Sequence, residues 1–235
     1  MAAVFSDEEI AAVKTRYPGL VRAGPDVVQG TLRMEAVYNG ETLSGDFQIR
    51  ITATNPNSDV LPALYETGGR TAAIAAAHGI TDLRTLHRNR DGTACVCVKQ
   101  IERRKYPPGS DLLVFVENLA VPYLYWLTYY ERYGEGPWKD YAHGGLGLLE
   151  FYSEDTEPQT TEGIREILPT LRRELNWQEY HKQLRKPSGD RACLCGSGKP
   201  FRTCHKKAWQ GVERLHREFL RLGINPRSLF EGIKK

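Results

Sequence analysis

Three cysteines and a histidine lie close together near the end of the chain. Cys193, Cys195, Cys204 and His205 follow the pattern C-x-C-x8-C-H. Three thiolates and an imidazole are a full ligand set for a closed tetrahedral Zn²⁺ site. The Gly-Ser-Gly segment between the two pairs allows the backbone to double back, so that both pairs can reach one ion. This run therefore predicts a bound zinc ion and a small metal-held module in this part of the chain.

Cysteine usage and the N-terminal residues indicate a reducing compartment. The chain has 235 residues and five cysteines, and its start carries Asp7, Glu8 and Glu9. A secretion signal would instead be basic and then apolar. No stretch of about eighteen residues is both apolar and uncharged, as a membrane span would be. We expect a cytoplasmic protein without a membrane partner, whose thiols serve metal binding or catalysis rather than disulfides.

Charge is distributed unevenly along the chain. Residues 181–235 contain fourteen Lys and Arg against four Asp and Glu, whereas residues 1–180 contain eighteen against twenty-five. Such a basic tail favours contact with nucleic acid or with an acidic protein surface, although a solvated face that binds nothing is at least as common. Phe201 and Trp209 are candidate stacking groups for nucleic acid. The apolar face of the last helix can also simply dock on the acidic body.

Capping and periodicity predict the order of elements. Ser6 and Glu9 form a capping box ahead of a helix over residues 7–16. Alternating apolar residues on both sides of Asn39-Gly40 predict a β-hairpin over residues 28–53. The other predicted elements are a strand over 63–67 and helices over 71–78, 111–133, 148–152, 164–182 and 206–222.

Two prolines and one serine lead to specific expectations about these helices. Ser110 is expected to cap the long apolar helix over residues 111–133, and Pro122 is expected to kink it. The helix over residues 164–182 is expected to break near Pro169. Because the long helix is apolar nearly all round, we expect it to be buried in a core.

A polar stretch between the strands and the long helix carries the other two cysteines. It runs from His87-Arg88-Asn89 through Asp91-Gly92-Thr93 to Cys95, with Cys97 two residues later. This segment resembles the His-Pro-Asn and Gly-x-x-Cys-Leu signature of ubiquitin-conjugating enzymes, with Arg88 in place of the proline. In that family a helix, a strand meander, a polar loop with the cysteine and a buried helix follow one another in this order.

Two later segments extend the resemblance to the prokaryotic branch of that family, whose members occur in bacterial antiphage operons. Gly136-Pro137-Trp138 and the run from His143 to Tyr152 are similar to the branch's Trp and His-Gly elements. The resemblance covers about residues 6–153. The cysteine run near the end is separately similar to the SEC-C zinc motif, a small module found on many unrelated bacterial proteins.

The resemblance implies an α+β fold of the ubiquitin-conjugating type, with an N-terminal helix, an antiparallel meander and C-terminal helices. We expect this conjugating domain over residues 1–155. A helical extension and linker follow over residues 156–186. The zinc module with its last helix occupies residues 187–235.

The resemblance also implies a chemistry. Cys95 would accept the C-terminal acyl group of a protein modifier from an activating enzyme and pass it to a lysine amine. The modifier would be a ubiquitin-like protein or a cGAS-like nucleotidyltransferase. In this scheme Asn89 holds the oxyanion, His87 favours the thiolate, and His143 orients the acceptor or the loop.

Other interpretations of these residues stay open. Cys95 and Cys97 are also consistent with ordinary strand cysteines, and His87 or His143 with hydrogen-bonded structural histidines. A non-catalytic adaptor that binds protein or nucleic acid through the same fold is the main alternative function. A thiol redox protein that uses Cys95 and Cys97 is a third, although a separation of two residues strains a disulfide.

Overall fold

A computed structural model describes residues 4–54, 61–138, 141–142, 144–155 and 158–225, except for the side chains of residues 99, 100, 103 and 166. The chain forms two compact units, Met1–Lys139 and Asp140–Lys235. The predicted division at residues 155 and 186 stays a prediction.

The described elements of the first unit are α1 (Asp7–Arg16), β1 (Leu20–Gly24), β2 (Val27–Tyr38), β3 (Glu41–Thr52), β4 (Ala63–Glu66), α2 (Arg70–Ala77), α3 (Lys99–Lys105) and α4 (Leu112–Tyr133), with a helical turn at Leu83–Leu86. Those of the second unit are α5 (Gly144–Glu154), α6 (Thr161–Arg172), α7 (Trp177–Arg185) and α8 (Lys206–Arg221), with a helical turn at Phe201–Cys204.

The strands form one antiparallel sheet in the order β1-β2-β3-β4, so the predicted α+β class is confirmed. Strands β2 and β3 pair over their whole length, from Val27 opposite Thr52 to Tyr38 opposite Glu41. The backbone at Asn39 and Gly40 has φ values of 48° and 82°. Left-handed conformations at both positions match the right-handed twist of the strands, which explains why Asn-Gly closes this hairpin.

The inner face of the sheet and helix α4 make up most of the first core. Alternate residues of β2 and β3 are buried because successive side chains of a strand point to opposite faces. Helix α4 packs against both strands, as expected for a helix that is apolar nearly all round. Core side chains with at most 1% exposure include Leu32, Met34, Leu43, Phe47, Ile49, Ile51, Phe115, Leu119, Leu124 and Leu127.

The capping box predicted for α1 is present and has a second role. Ser6 Oγ accepts a hydrogen bond from the Glu9 backbone N–H at 3.1 Å, and Glu9 Oε2 accepts one from the Ser6 N–H at 2.8 Å. The other carboxylate oxygen, Glu9 Oε1, accepts from the Leu112 N–H at 3.0 Å. One side chain therefore satisfies backbone donors at the starts of two helices.

The start of α4 differs from the prediction. Asp111, not Ser110, is the cap, and its carboxylate accepts a hydrogen bond from the Val114 N–H at 2.9 Å. A widened π turn over Val116–Ala120 precedes Pro122, and the helix continues from Val121, while the kink expected at Pro122 stays a prediction. Proline has no N–H to donate and its ring crowds the preceding turn, so the helix widens just before it.

We expect Asp111→Ala to lower the free energy of unfolding by about 1 kcal/mol, because a helix N–H loses its side-chain acceptor. Ser110→Ala is the matched control and should change it by less than about 0.5 kcal/mol. Urea denaturation of both variants measures the difference. Equal destabilisation by the two substitutions would contradict the assignment of Asp111 as the cap.

Helix α4 is long and apolar enough to cross a membrane by length and composition, and it is the only such helix among the described residues. Within the apolar stretch, 61% is buried inside the fold. Its contribution to the core accounts for its composition. The cytoplasmic location stays a prediction.

The second unit is built around helices α5 and α8. Helix α5 begins at Gly144, earlier than predicted, and its residues from Gly145 to Tyr152 are all buried. Helix α6 runs through Pro169 and ends at Arg172, so the break expected near Pro169 comes later. Helix α8 covers nearly the predicted range and buries one face, formed by Ala208, Gly211, Val212, Leu215 and Phe219.

Candidate metal centre and cysteine loop

The four predicted metal ligands come together. One ligand atom from each of Cys193, Cys195, Cys204 and His205 can be chosen so that all four lie within 4.8 Å of one another. Cys193 Sγ is 3.2 Å from His205 Nδ1, and Cys195 Sγ is 3.7 Å from Cys204 Sγ. Three sulfurs and a ring nitrogen at these separations are close enough to bind a single metal ion.

Backbone hydrogen bonds of a tight hairpin bring the ligands to these positions. The Cys193 N–H donates to the Lys199 carbonyl at 2.8 Å, and the Gly196 N–H donates to the Cys193 carbonyl at 3.0 Å. Gly196 and Gly198 have backbone φ values of 79° and 73°, which residues other than glycine rarely adopt. This is the reversal predicted from the Gly-Ser-Gly segment.

Contacts with the helices of the second unit hold the hairpin. Phe201 has 0% exposure, and its ring lies 6.0 Å from that of Trp209 in an edge-to-face arrangement. The side-chain amide of Asn176 donates to the Leu194 carbonyl at 2.8 Å. Because Phe201 is buried, the expectation that it stacks on nucleic acid is wrong, since it anchors the hairpin in the core instead.

The local environment shifts the thiol pKa values of Cys193 and Cys195 in opposite directions. Burial raises the pKa of the Cys193 thiol to about 12. Hydrogen bonds from the Ser197 side chain and backbone lower the pKa of Cys195 to about 6. Ser197 Oγ also lies 3.2 Å from Cys204 Sγ. The hydroxyl group therefore faces the sulfurs that would carry negative charge as metal ligands.

Ser197 was not predicted as a site residue. Its signal in the sequence was its position inside the turn, where a serine hydroxyl commonly bonds to nearby backbone. The Lys199 N–H does donate to Ser197 Oγ, at 3.4 Å. This bond holds the hydroxyl group beside the cysteines.

Many basic side chains near the cluster form ion pairs or hydrogen bonds within the second unit. Lys207 forms an ion pair with Glu154, and Arg202 pairs with Asp190 at 2.8 Å. Other such contacts in the unit include the ion pair of Arg221 with Glu218 and the hydrogen bond from Arg214 to the Tyr152 carbonyl. The net charge of the tail therefore overstates the basic surface open to a partner.

Cys95 lies at the end of a second, smaller hairpin, in the first unit. The Asn89 N–H donates to the Thr93 carbonyl at 2.8 Å, and the Cys95 N–H donates to the His87 carbonyl at 2.7 Å. Cys95 is exposed and Cys97 is half-buried. Residues 95–98 form no strand, so alternation along a strand does not relate the two cysteines.

Two of the proposed helpers of Cys95 have other contacts. Asn89 Nδ2 donates to Thr93 Oγ1 at 3.0 Å. His87 has a left-handed backbone, with φ of 53°, and its ring meets the Trp126 indole edge to face at 4.7 Å. A left-handed backbone at a non-glycine residue costs about 1 kcal/mol or more and is held by its surroundings. His143 lies outside the described residues.

Trp138, the tryptophan in the Gly136-Pro137-Trp138 segment of the resemblance, packs against the core of the first unit. Trp138 is half-buried, and its ring lies 5.0 Å from Tyr38 and stacks on Tyr125 with centroids 6.3 Å apart. Aromatic pairs of this kind add about 1 kcal/mol to the burial of their surfaces. We therefore assign Trp138 a packing role.

Comparison with known proteins yields no match to this chain, whether to a protein-family model, to a curated protein or to a solved structure.

Proposed function

We propose that this chain is a ubiquitin-conjugating-like acyl carrier that acts through Cys95 in the bacterial cytoplasm, as part of antiphage defence. The observation that carries the proposal is an exposed cysteine at the end of a tight polar hairpin. This hairpin lies between an antiparallel meander and a long core helix, in the order that the resemblance to the ubiquitin-conjugating fold requires.

The reaction has two acyl transfers. In the first, Cys95 Sγ bonds to the modifier's C-terminal carbonyl carbon and the thiol of the activating enzyme leaves. In the second, a lysine amine bonds to that carbon, the Cys95 thiolate leaves, and the amine loses a proton. The second amide hydrogen of Asn89, or a backbone N–H of the loop, stabilises the oxyanion, a role worth about 3 kcal/mol in other enzymes.

The metal in the C-terminal cluster is proposed to be zinc. Three thiolates and one imidazole favour Zn²⁺ among the common divalent ions, and four protein ligands leave no position for a reactive water. We assign this module a structural and recruiting role, in which its basic surface meets an acidic protein or nucleic acid.

An adaptor that binds without catalysis is the second candidate. The observation in its favour is the bond from Asn89 Nδ2 to Thr93 Oγ1, which occupies one hydrogen of the amide proposed for the oxyanion. The two candidates differ in whether Cys95 ever carries a covalent acyl group.

Trapping the thioester tests the first candidate. The chain is mixed with ATP and with activating-enzyme and modifier candidates from its own operon, and products are run on a non-reducing gel. We expect an adduct that thiol reductant removes. Cys95→Ser should abolish it or convert it to a reductant-resistant oxyester, whereas Cys97→Ser should leave it intact. An adduct that persists unchanged in Cys95→Ser would rule out Cys95, and absence of any adduct would favour the adaptor.

A further inference from the structure

The three sulfurs of the metal cluster differ in their access to solvent. Cys195 is exposed and Cys204 is half-buried, whereas Cys193 is only 4% exposed. The Sγ atoms of Cys195 and Cys204 lie 3.7 Å apart, and Cys193 Sγ faces His205 Nδ1. One pair of thiols is therefore both accessible and adjacent.

We propose that Cys195 and Cys204 form a hydroperoxide-sensitive dithiol whose oxidation to a disulfide expels the metal ion. Susceptibility of a cysteine to peroxide follows its thiolate character and its exposure, and it leads to a disulfide where a second cysteine is in reach. The inference rests on metal binding by the cluster and is independent of acyl transfer at Cys95.

The oxidation proceeds in two balanced steps. Cys195 Sγ first bonds to one oxygen of hydrogen peroxide, the O–O bond breaks, and the other oxygen leaves as hydroxide. Cys204 Sγ then attacks Cys195 Sγ, and a second hydroxide leaves as the S–S bond forms. Two protons convert the hydroxides to water, so the sulfurs lose two electrons and the peroxide gains them.

Loss of the metal follows from the ligand count. A disulfide sulfur is no longer a thiolate, so only Cys193 and His205 remain as ligands. Zinc in a structural protein site takes four. Two ligands do not hold it against water, and the ion leaves.

Contacts that do not involve the metal should keep the hairpin folded after this change. The hydrogen bond from the Cys193 N–H to the Lys199 carbonyl and the buried Phe201 ring do not depend on the metal. The new disulfide closes the loop between residues 195 and 204, which the metal closed before. Oxidation therefore differs from chelation, which removes the metal and leaves no cross-link.

The test uses the full Cys95→Ser/Cys97→Ser chain, in which the only thiols are the three of the cluster. The zinc-loaded protein is titrated with hydrogen peroxide, zinc release is followed with a metal-sensitive dye, and disulfides are mapped by peptide mass spectrometry. We expect about one zinc released for each disulfide formed. The disulfide should link Cys195 to Cys204, and reductant with added zinc should restore the starting state.

Two further variants locate the reaction. Cys193→Ser retains the dithiol and should still form the disulfide. Cys193→Ser/Cys204→Ser leaves Cys195 with no other cluster thiol in reach, so oxidation should stop at a sulfenic acid on Cys195, which dimedone traps. A linkage through Cys193, zinc retention until the thiols are irreversibly oxidised, or dimedone labelling away from Cys195 would each overturn the proposal. A cluster that binds no zinc before peroxide is added would also overturn it, and disulfide mapping would then show only whether the dithiol itself reacts.

Discussion

Substitution of Gly211 by valine is expected to lower the free energy of unfolding of the second unit by about 3 kcal/mol or more, the upper range for overpacking. A β-carbon at Gly211 would lie 1.8 Å from the Leu149 carbonyl oxygen and 2.6 Å from its carbon. These are backbone atoms of helix α5, so no side-chain rotation relieves the contact. Helices α5 and α8 would have to move apart, and the buried faces of both would lose their packing.

Gly163 provides a matched control in the same unit. It lies in the first turn of α6, where the nearest atom to an added β-carbon is the Gln159 side-chain oxygen, at 3.3 Å. Gly163→Ala should be neutral or stabilising by up to about 1 kcal/mol, because alanine favours the helix. Thermal and urea denaturation of Gly211→Ala, Gly211→Val and Gly163→Ala form the series. Wild-type stability in both Gly211 variants would show that α5 and α8 do not meet at this glycine.

Loss of the metal is the second large effect. We expect Cys193→Ser, or chelation of the wild type, to remove about one zinc per chain. At a free zinc concentration a thousandfold above the dissociation constant, this loss corresponds to about 4 kcal/mol of stability. Cys97→Ser is the control, because Cys97 is not part of the cluster, and it should keep both metal and stability. Elemental analysis and melting curves with and without chelator measure the two quantities, and an unchanged melting curve after metal removal would contradict a structural role.

Metal affinity should also fall as the pH is lowered. Burial keeps the pKa of the Cys193 thiol near 12 without metal, so this group is protonated at neutral pH and must release its proton on binding. Protons therefore compete with zinc, and the competition grows in acid. Zinc competition titrations at several pH values, in buffers of different ionisation enthalpy, measure this proton release, and a pH-independent affinity would exclude Cys193 as a thiolate ligand.

Local signals predicted most of the secondary structure correctly. The Ser6–Glu9 box and the Asn39-Gly40 turn are contained within four residues or fewer, so the sequence carries all the information that they need. Strand β1 was missed because Leu20–Gly24 is short, has an irregular register and exposes three consecutive residues. Its strand conformation depends on pairing with β2, which no local pattern reports.

Local sequence signals likewise predicted one candidate site better than the other. The metal cluster was predicted residue by residue because its ligand types and their spacing define the geometry. Phe201 is fully buried and its ring contacts that of Trp209, so its predicted stacking role was wrong. The contact of the His87 ring with Trp126 of α4 likewise depends on packing between residues far apart in the sequence. Residue type alone does not reveal them.

The two hydrogen bonds that the Glu9 carboxylate accepts have a practical consequence for shortened forms of the protein. This carboxylate closes the cap of α1 and also accepts a hydrogen bond from Leu112, 103 residues further along the chain. Removal of residues up to Glu9 would therefore leave a donor unsatisfied at the start of the central core helix. Purification tags are better added ahead of residues 6–9 than in place of them.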